Sequence, residues 1–163
     1  MLFFIYITRS DYLKNYDYYS MYREVNELSS LNKLFAAFLT EKINIMNYSS
    51  NAIIEKNLGL PSNLEELSYL IDDSLEKVKN LIKIKKGYPI FKLDDLELTS
   101  PIKTYVSQDY KEESIIENIN TEIEIILDII KDIISKTSEA GDYDTINVLS
   151  NISFDLKTLL LSI

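Results

Sequence analysis

Apolar residues lay out the chain as a series of long amphipathic helices. From residue 109 onward, isoleucine recurs at spacings of three and four: Ile116, Ile119, Ile123, Ile126, Ile130 and Ile133. That is the period of one buried helix face, sustained for about five turns. The run Ser138-Glu139-Ala140-Gly141-Asp142 interrupts it. Gly141 suits the left-handed residue that ends a helix, and Asp142 suits the cap of the next. The stripe then resumes with Leu149, Ile152, Leu156, Leu159 and Ile163. So short a break predicts an antiparallel helical hairpin, whose stripes need two further helices to cover them.

The upstream chain supplies both. A first helix is predicted over residues 22–49, with Leu28, Leu31, Phe35, Phe38 and Ile45 as its stripe. A looser stretch, 51–60, holds Gly59. Ser62-Asn63-Leu64-Glu65 then reads as a capping box, with Ser62 as cap and Glu65 reaching back. The second helix follows, with Leu64, Leu67, Ile71, Leu75, Val78 and Ile82 facing inward. Lys83, Lys85 and Lys86 suit the negative end of its dipole, and Gly87 with Pro89 forms a stop. Residues 90–108 form a crossover with at most one short helix, at 94–98, because Pro101 bars a longer one. Asp109 with Glu112 opens the third long helix. The predicted fold is all-α, a four-helix bundle with a long crossover between its second and third helices, which is the ferritin-like arrangement.

Composition narrows the chemistry. At 163 residues and 46% hydrophobic, the chain is one domain with a real core. The predicted division is an N-terminal arm, 1–21, and a bundle, 22–163. Cysteine and histidine are both absent. Disulfides, thiolate and imidazole metal ligands, and His-assisted nucleophiles are therefore excluded. A net charge of −9 opposes binding to nucleic acid and to anionic membrane. Residues 1–8 are apolar but too short to span a bilayer and lack the flanks of a signal peptide. They read as an ordered arm on a cytoplasmic protein. Tyr12, Tyr16, Tyr18, Tyr19 and Tyr22 follow. Their rings are expected to pack on the body or a neighbouring subunit; a base-stacking platform is the sharper alternative, but few lysines accompany them.

Several strings, in order, resemble one family. Leu31-Asn32-Lys33-Leu34 lies in the first helix and Asn47-Tyr48-Ser49-Ser50-Asn51 ends it. Ser100-Pro101-Ile102-Lys103-Thr104-Tyr105 sits in the crossover. Ala140-Gly141-Asp142-Tyr143-Asp144-Thr145 precedes the last helix. Together they resemble the Dps miniferritins over about residues 28–163. The resemblance implies a hollow shell of twelve ferritin-like subunits that oxidises ferrous iron at sites between subunits and, in many members, binds DNA through basic tails. The family's iron ligands are two histidines, an aspartate and a glutamate. Carried onto this chain, those positions fall on Ser49, Pro61, Glu76 and Asn80. Only Glu76 keeps a carboxylate. The resemblance therefore implies a degenerate ferroxidase site, and the proline implies that the second helix begins later than in the family.

Asp72 and Glu76 are four apart and share a helix face, so they are the candidate remnant metal site, with iron as the implied ligand. The competing reading is a solvated acidic face. Asp142 and Asp144 are candidates for a polar channel, with capping as the plainer role. Glu117, Glu122, Glu124, Asp128 and Asp132 read as the outer face of the third helix. In the arm, Arg9, Lys14 and Arg23 are mixed with Asp11 and Asp17, so DNA binding is not expected. Three functions follow: a closed homo-oligomeric shell of twelve subunits without the usual ferroxidase centre; an iron-storing miniferritin whose site is rebuilt from carboxylates around Glu76; or an interaction protein that kept the bundle alone.

Overall fold

A computed structural model of the chain describes residues 9–163, with side chains described from residue 26 onward. Four long helices carry the fold: α1 (Arg9–Asn51), α2 (Leu60–Ile84), α4 (Glu112–Ala140) and α5 (Tyr143–Leu160). A short helix, α3 (Leu93–Thr99), lies in the crossover between α2 and α4. It stops just before Ser100-Pro101, as the proline requires. The backbone of α1 is helical back to Arg9, well before residue 22. Residues 1–8 and the side chains of the five arm tyrosines lie outside the described residues, and with them the packing role expected of the arm.

The predicted stripes meet in one core. Leu31, Phe38 and Ile45 of α1, Leu64, Ile71 and Ile82 of α2, Ile119, Ile126 and Ile133 of α4, and Leu149, Ile152 and Leu156 of α5 are all buried. Helix α1 packs on α2 and α4, and α5 packs on α4 and α2, which closes the four-helix ring.

Polar clamps fix its two ends. At one end β1 (Ala52–Ile53) pairs in parallel with β2 (Tyr110–Lys111). Beside them the Glu112 carboxylate accepts from the backbone N–H groups of Glu55, Lys56 (2.7 Å) and Asn57 (3.1 Å). Those donors, Lys56 first, hold the Glu112 carboxyl below its ordinary range. Glu112 thus joins the entry to α2 to the start of α4. At the other end, Lys85 bridges Glu27 (2.9 Å) and Asp142 (2.5 Å). Because α2 and α4 begin at the same end, the crossover must run the length of the bundle. It is held there largely by polar groups of α1. Thr40 donates to Ser100 Oγ (2.9 Å), Asn44 to the Lys103 carbonyl (2.9 Å), and Asn47 to the Tyr105 carbonyl (3.1 Å).

Three local expectations are corrected. The Ser62–Glu65 capping box does not form: α2 starts at Leu60 behind Gly59, with Pro61 in its first turn and no side-chain cap. A first-turn proline has no partner for an N–H to lose and a φ already suited to the helix, so it opens the helix ahead of the box. Pro61 accordingly sits on helical backbone. Gly87 is also not the left-handed residue that ends α2; Lys86 is, at φ 61°. Gly87 N–H bonds the Ile82 carbonyl (2.8 Å) and Lys86 N–H bonds that of Lys83 (3.0 Å), which is a Schellman motif. Glycine is needed at 87 for space: a Cβ there would lie 2.5 Å from Leu28 Cδ2. Finally, Asp109 and Glu112 do not cap α4: the helix starts at Glu112 behind Lys111, whose side chain has no acceptor to offer, and the Glu112 carboxylate turns to residues 55–57 instead.

Candidate functional site

The α4–α5 turn behaves as its residues suggest. Gly141 takes φ 72° and Asp142 caps α5, accepting from Thr145 N–H (3.1 Å) and Thr145 Oγ1 (2.6 Å). Burial works against the charge on Asp142, but Lys85 and Thr145 outweigh it and hold the carboxyl down at about 2. Burial likewise disfavours the Lys85 ammonium, yet Asp142 and Glu27 raise its pKa above the ordinary lysine value. Asp144 is exposed in the first turn of α5.

The residues carried over as metal-ligand positions lie on the outside of this chain. Ser49, Pro61, Glu76 and Asn80 are exposed. Asp72 pairs with Lys42 of α1, and Glu76 pairs with Lys79 one turn on (2.5 Å). Each carboxylate therefore faces a lysine. Among the described residues, no group of three or more Asp, Glu, His or Cys is placed to hold a metal.

The unusual chemistry is inside the bundle. Glu122 of α4, expected on the outer face, is buried at 2% exposure against Glu41 of α1, which is 0% exposed. Glu117, Glu124, Asp128 and Asp132 do lie on the exposed face of α4. Glu41, Asn44 and Tyr48 fall at spacings of three and four on α1, so one helix face presents all three to Glu122. Asn44 Nδ2 donates to Glu122 Oε1 at 2.9 Å and the Tyr48 hydroxyl reaches the same oxygen at 3.5 Å. Tyr105 of the crossover lies close to Glu122. Tyr110 stands edge-on to Tyr48, ring centres 5.2 Å apart, and walls the site at the β1–β2 end.

No cation of the described residues approaches either carboxylate. Burial, and then repulsion from Glu122, pushes the Glu41 carboxyl well above its ordinary pKa. Burial also raises Glu122, more than its hydrogen bonds lower it. Burial and the nearby Glu122 charge raise both Tyr48 and Tyr105. Two carboxyl groups this close in a low-dielectric interior cannot both ionise unpaired; they share a proton or hold a cation. A groove of about 560 Å³ runs alongside, between α1 and the crossover, lined by Thr40, Ile43, Ile102 and Lys103 among others.

Sequence reasoning missed this pair, although a signal existed. Glu41 lies at a core position of the stripe Leu31, Leu34, Phe38, Ile45, Tyr48, and Glu122 lies in register with Ile115, Ile119, Ile126 and Ile130. The strings Asn47-Tyr48 and Lys103-Thr104-Tyr105, which carry the family resemblance, meet at this cluster.

No protein-family model matches the chain, and no curated protein matches its sequence. Solved structures do match. The Dps protein of Vibrio cholerae O1, described as a member of a broad superfamily of ferritin-like diiron-carboxylate proteins, superposes with a TM-score of 0.80 at 18% identity. It covers 86% of this chain and 87% of its own. The Dps protein of Bacillus brevis gives 0.79 at 16% identity over 86% and 93%. That of Thermosynechococcus elongatus gives 0.78 at 15% over 85% and 88%. At such low identity the likeness speaks for the fold, and the fold of this chain is that of the Dps-like, ferritin-like four-helix bundle.

Proposed function

We propose that this chain is a shell-forming, Dps-like subunit of the cytoplasm that lacks the family's usual rapid ferroxidase centre. The observation that carries the reading is the pairing of a Dps-type fold with Ser49, Pro61 and Asn80 at three of the four ligand positions. Serine and asparagine are weak neutral donors for iron and proline offers none, so Glu76 stands nearly alone. Its pairing with Lys79 further lowers its appeal to a cation. Apolar crossover residues support self-association: Phe91, Leu93, Leu98 and Val106 are all exposed on the single chain. A closed assembly of twelve copies covers such a face.

The test is the initial rate of ferric absorbance after ferrous iron and peroxide are added. The expected rate does not exceed a no-protein control. A rate well above control that disappears in Glu76→Ala would instead favour a storage miniferritin with a site rebuilt from Asp72 and Glu76. Slow mineral growth on acidic faces remains compatible with the first reading, because it needs only clustered carboxylates.

A further inference from the structure

We infer that Glu41, Glu122 and Asn44 form an internal site for one hard divalent cation, held by oxygen alone within a single bundle. Acceptors outnumber donors in this cluster. Four side-chain oxygens in this cluster are buried without a hydrogen-bond donor: both of Glu41, Oε2 of Glu122 and Oδ1 of Asn44. Asn44 is itself 0% exposed, and its amide nitrogen is committed to Glu122 Oε1 and the Lys103 carbonyl. A shared proton places one donor between two oxygens and leaves the other two orphaned. A divalent cation engages all four and neutralises both carboxylates.

Unsatisfied buried acceptors are costly, so a constellation with this surplus is stable when something positive sits in it. Donor chemistry sets the class. Carboxylate and amide oxygens with no imidazole or thiolate select magnesium, calcium or manganese over zinc or copper. The Tyr48 and Tyr105 hydroxyls and water are the available further ligands. The site is mononuclear, since α2 and α5 bring no carboxylate to it among the described residues. It is also separate from the half-buried Asp72 and the exposed Glu76, and it does not depend on shell assembly or on ferrous oxidation. Its place between α1, α4 and the crossover gives it a structural role: the cation ties Asn44, which holds the crossover backbone, to α4.

Manganese(II) is the probe, because its six-line electron paramagnetic resonance signal reports the free ion. The full chain, stripped with chelator and exchanged into metal-free buffer at pH 7.5, is titrated with manganese. Wild type and the Asp72→Asn/Glu76→Gln variant are expected to bind one tight manganese per chain. Glu41→Gln/Glu122→Gln is expected to lose that site, with at least a tenfold weaker affinity, while keeping its helical circular dichroism. Should the double variant fail to fold, Glu41→Gln alone carries the same expectation. Added manganese is expected to raise the melting temperature of wild type but not of the Glu41 variants. The inference is overturned if wild type binds no tight manganese, or if the tight site survives Glu41→Gln. A shared proton alone would show itself by a metal-independent loss of wild-type stability as pH rises above about 4.5, absent from Glu41→Gln, and that outcome also overturns it.

Discussion

Asp142 performs three tasks with one carboxylate: it caps α5, accepts from the Thr145 hydroxyl and receives Lys85 from the end of α2. Its carboxyl is depressed from 3.8 to about 2 in the folded chain. A depressed carboxyl adds stability that is present above the unfolded value and is lost as pH falls through the folded one. The window is therefore roughly pH 4 down to 2, and the shift corresponds to about 2 kcal/mol. Asp142→Asn keeps an acceptor for the cap and loses the charge. Thermal melts are expected to show it roughly 1–2 kcal/mol less stable than wild type at pH 7, with the gap closing toward pH 2. A gap that stays constant over that range would contradict the role given to the charge. This role was legible, since Gly-Asp between two stripes is a helix stop followed by a cap. The burial of Glu41 and Glu122 was harder to see. A glutamate in a stripe is usually a flanking surface residue, and only the partner helix shows that two such positions face each other.

At the scale of the elements, the end of α2 shows two adjacent residues with opposite demands. Lys86 occupies the left-handed conformation that glycine tolerates best, while Gly87 sits where no side chain fits. Lys86→Gly is expected to stabilise the chain by about 1 kcal/mol, through relief of the left-handed backbone. Gly87→Ala is expected to destabilise it by about 1–3 kcal/mol, because Leu28 and Ile82 must move. Urea unfolding of both variants checks the pair, and a neutral Gly87→Ala would sink the close-packing argument. The four stripes, the short crossover helix and the α4–α5 turn were readable because periodicity and Gly/Pro chemistry are local. Where α2 begins was misread because two start signals overlap, and a first-turn proline starts the helix before Ser62. The hold on the crossover was not readable at all: Thr40 binds the Ser100 hydroxyl, and Asn44 and Asn47 bind backbone carbonyls, all roughly 60 residues away, and sequence spacing carries no record of such contacts.

At the scale of the whole molecule, charge and exposed apolar surface point to different partners. A net charge of −9 repels phosphate. No shift of duplex DNA is expected in a gel at physiological salt, and a metal-independent shift that weakens as salt rises would contradict this. The exposed crossover residues Leu98 and Val106, 86% and 75% accessible, call instead for a protein surface. No helix of the described residues is long and apolar enough to cross a membrane. A second copy of the chain is the partner proposed above. Light scattering of the purified chain at micromolar concentration tests this most directly. A single species near twelve times the 18.9 kDa chain mass is expected; a stable monomer of 18.9 kDa under those conditions would contradict the proposed assembly.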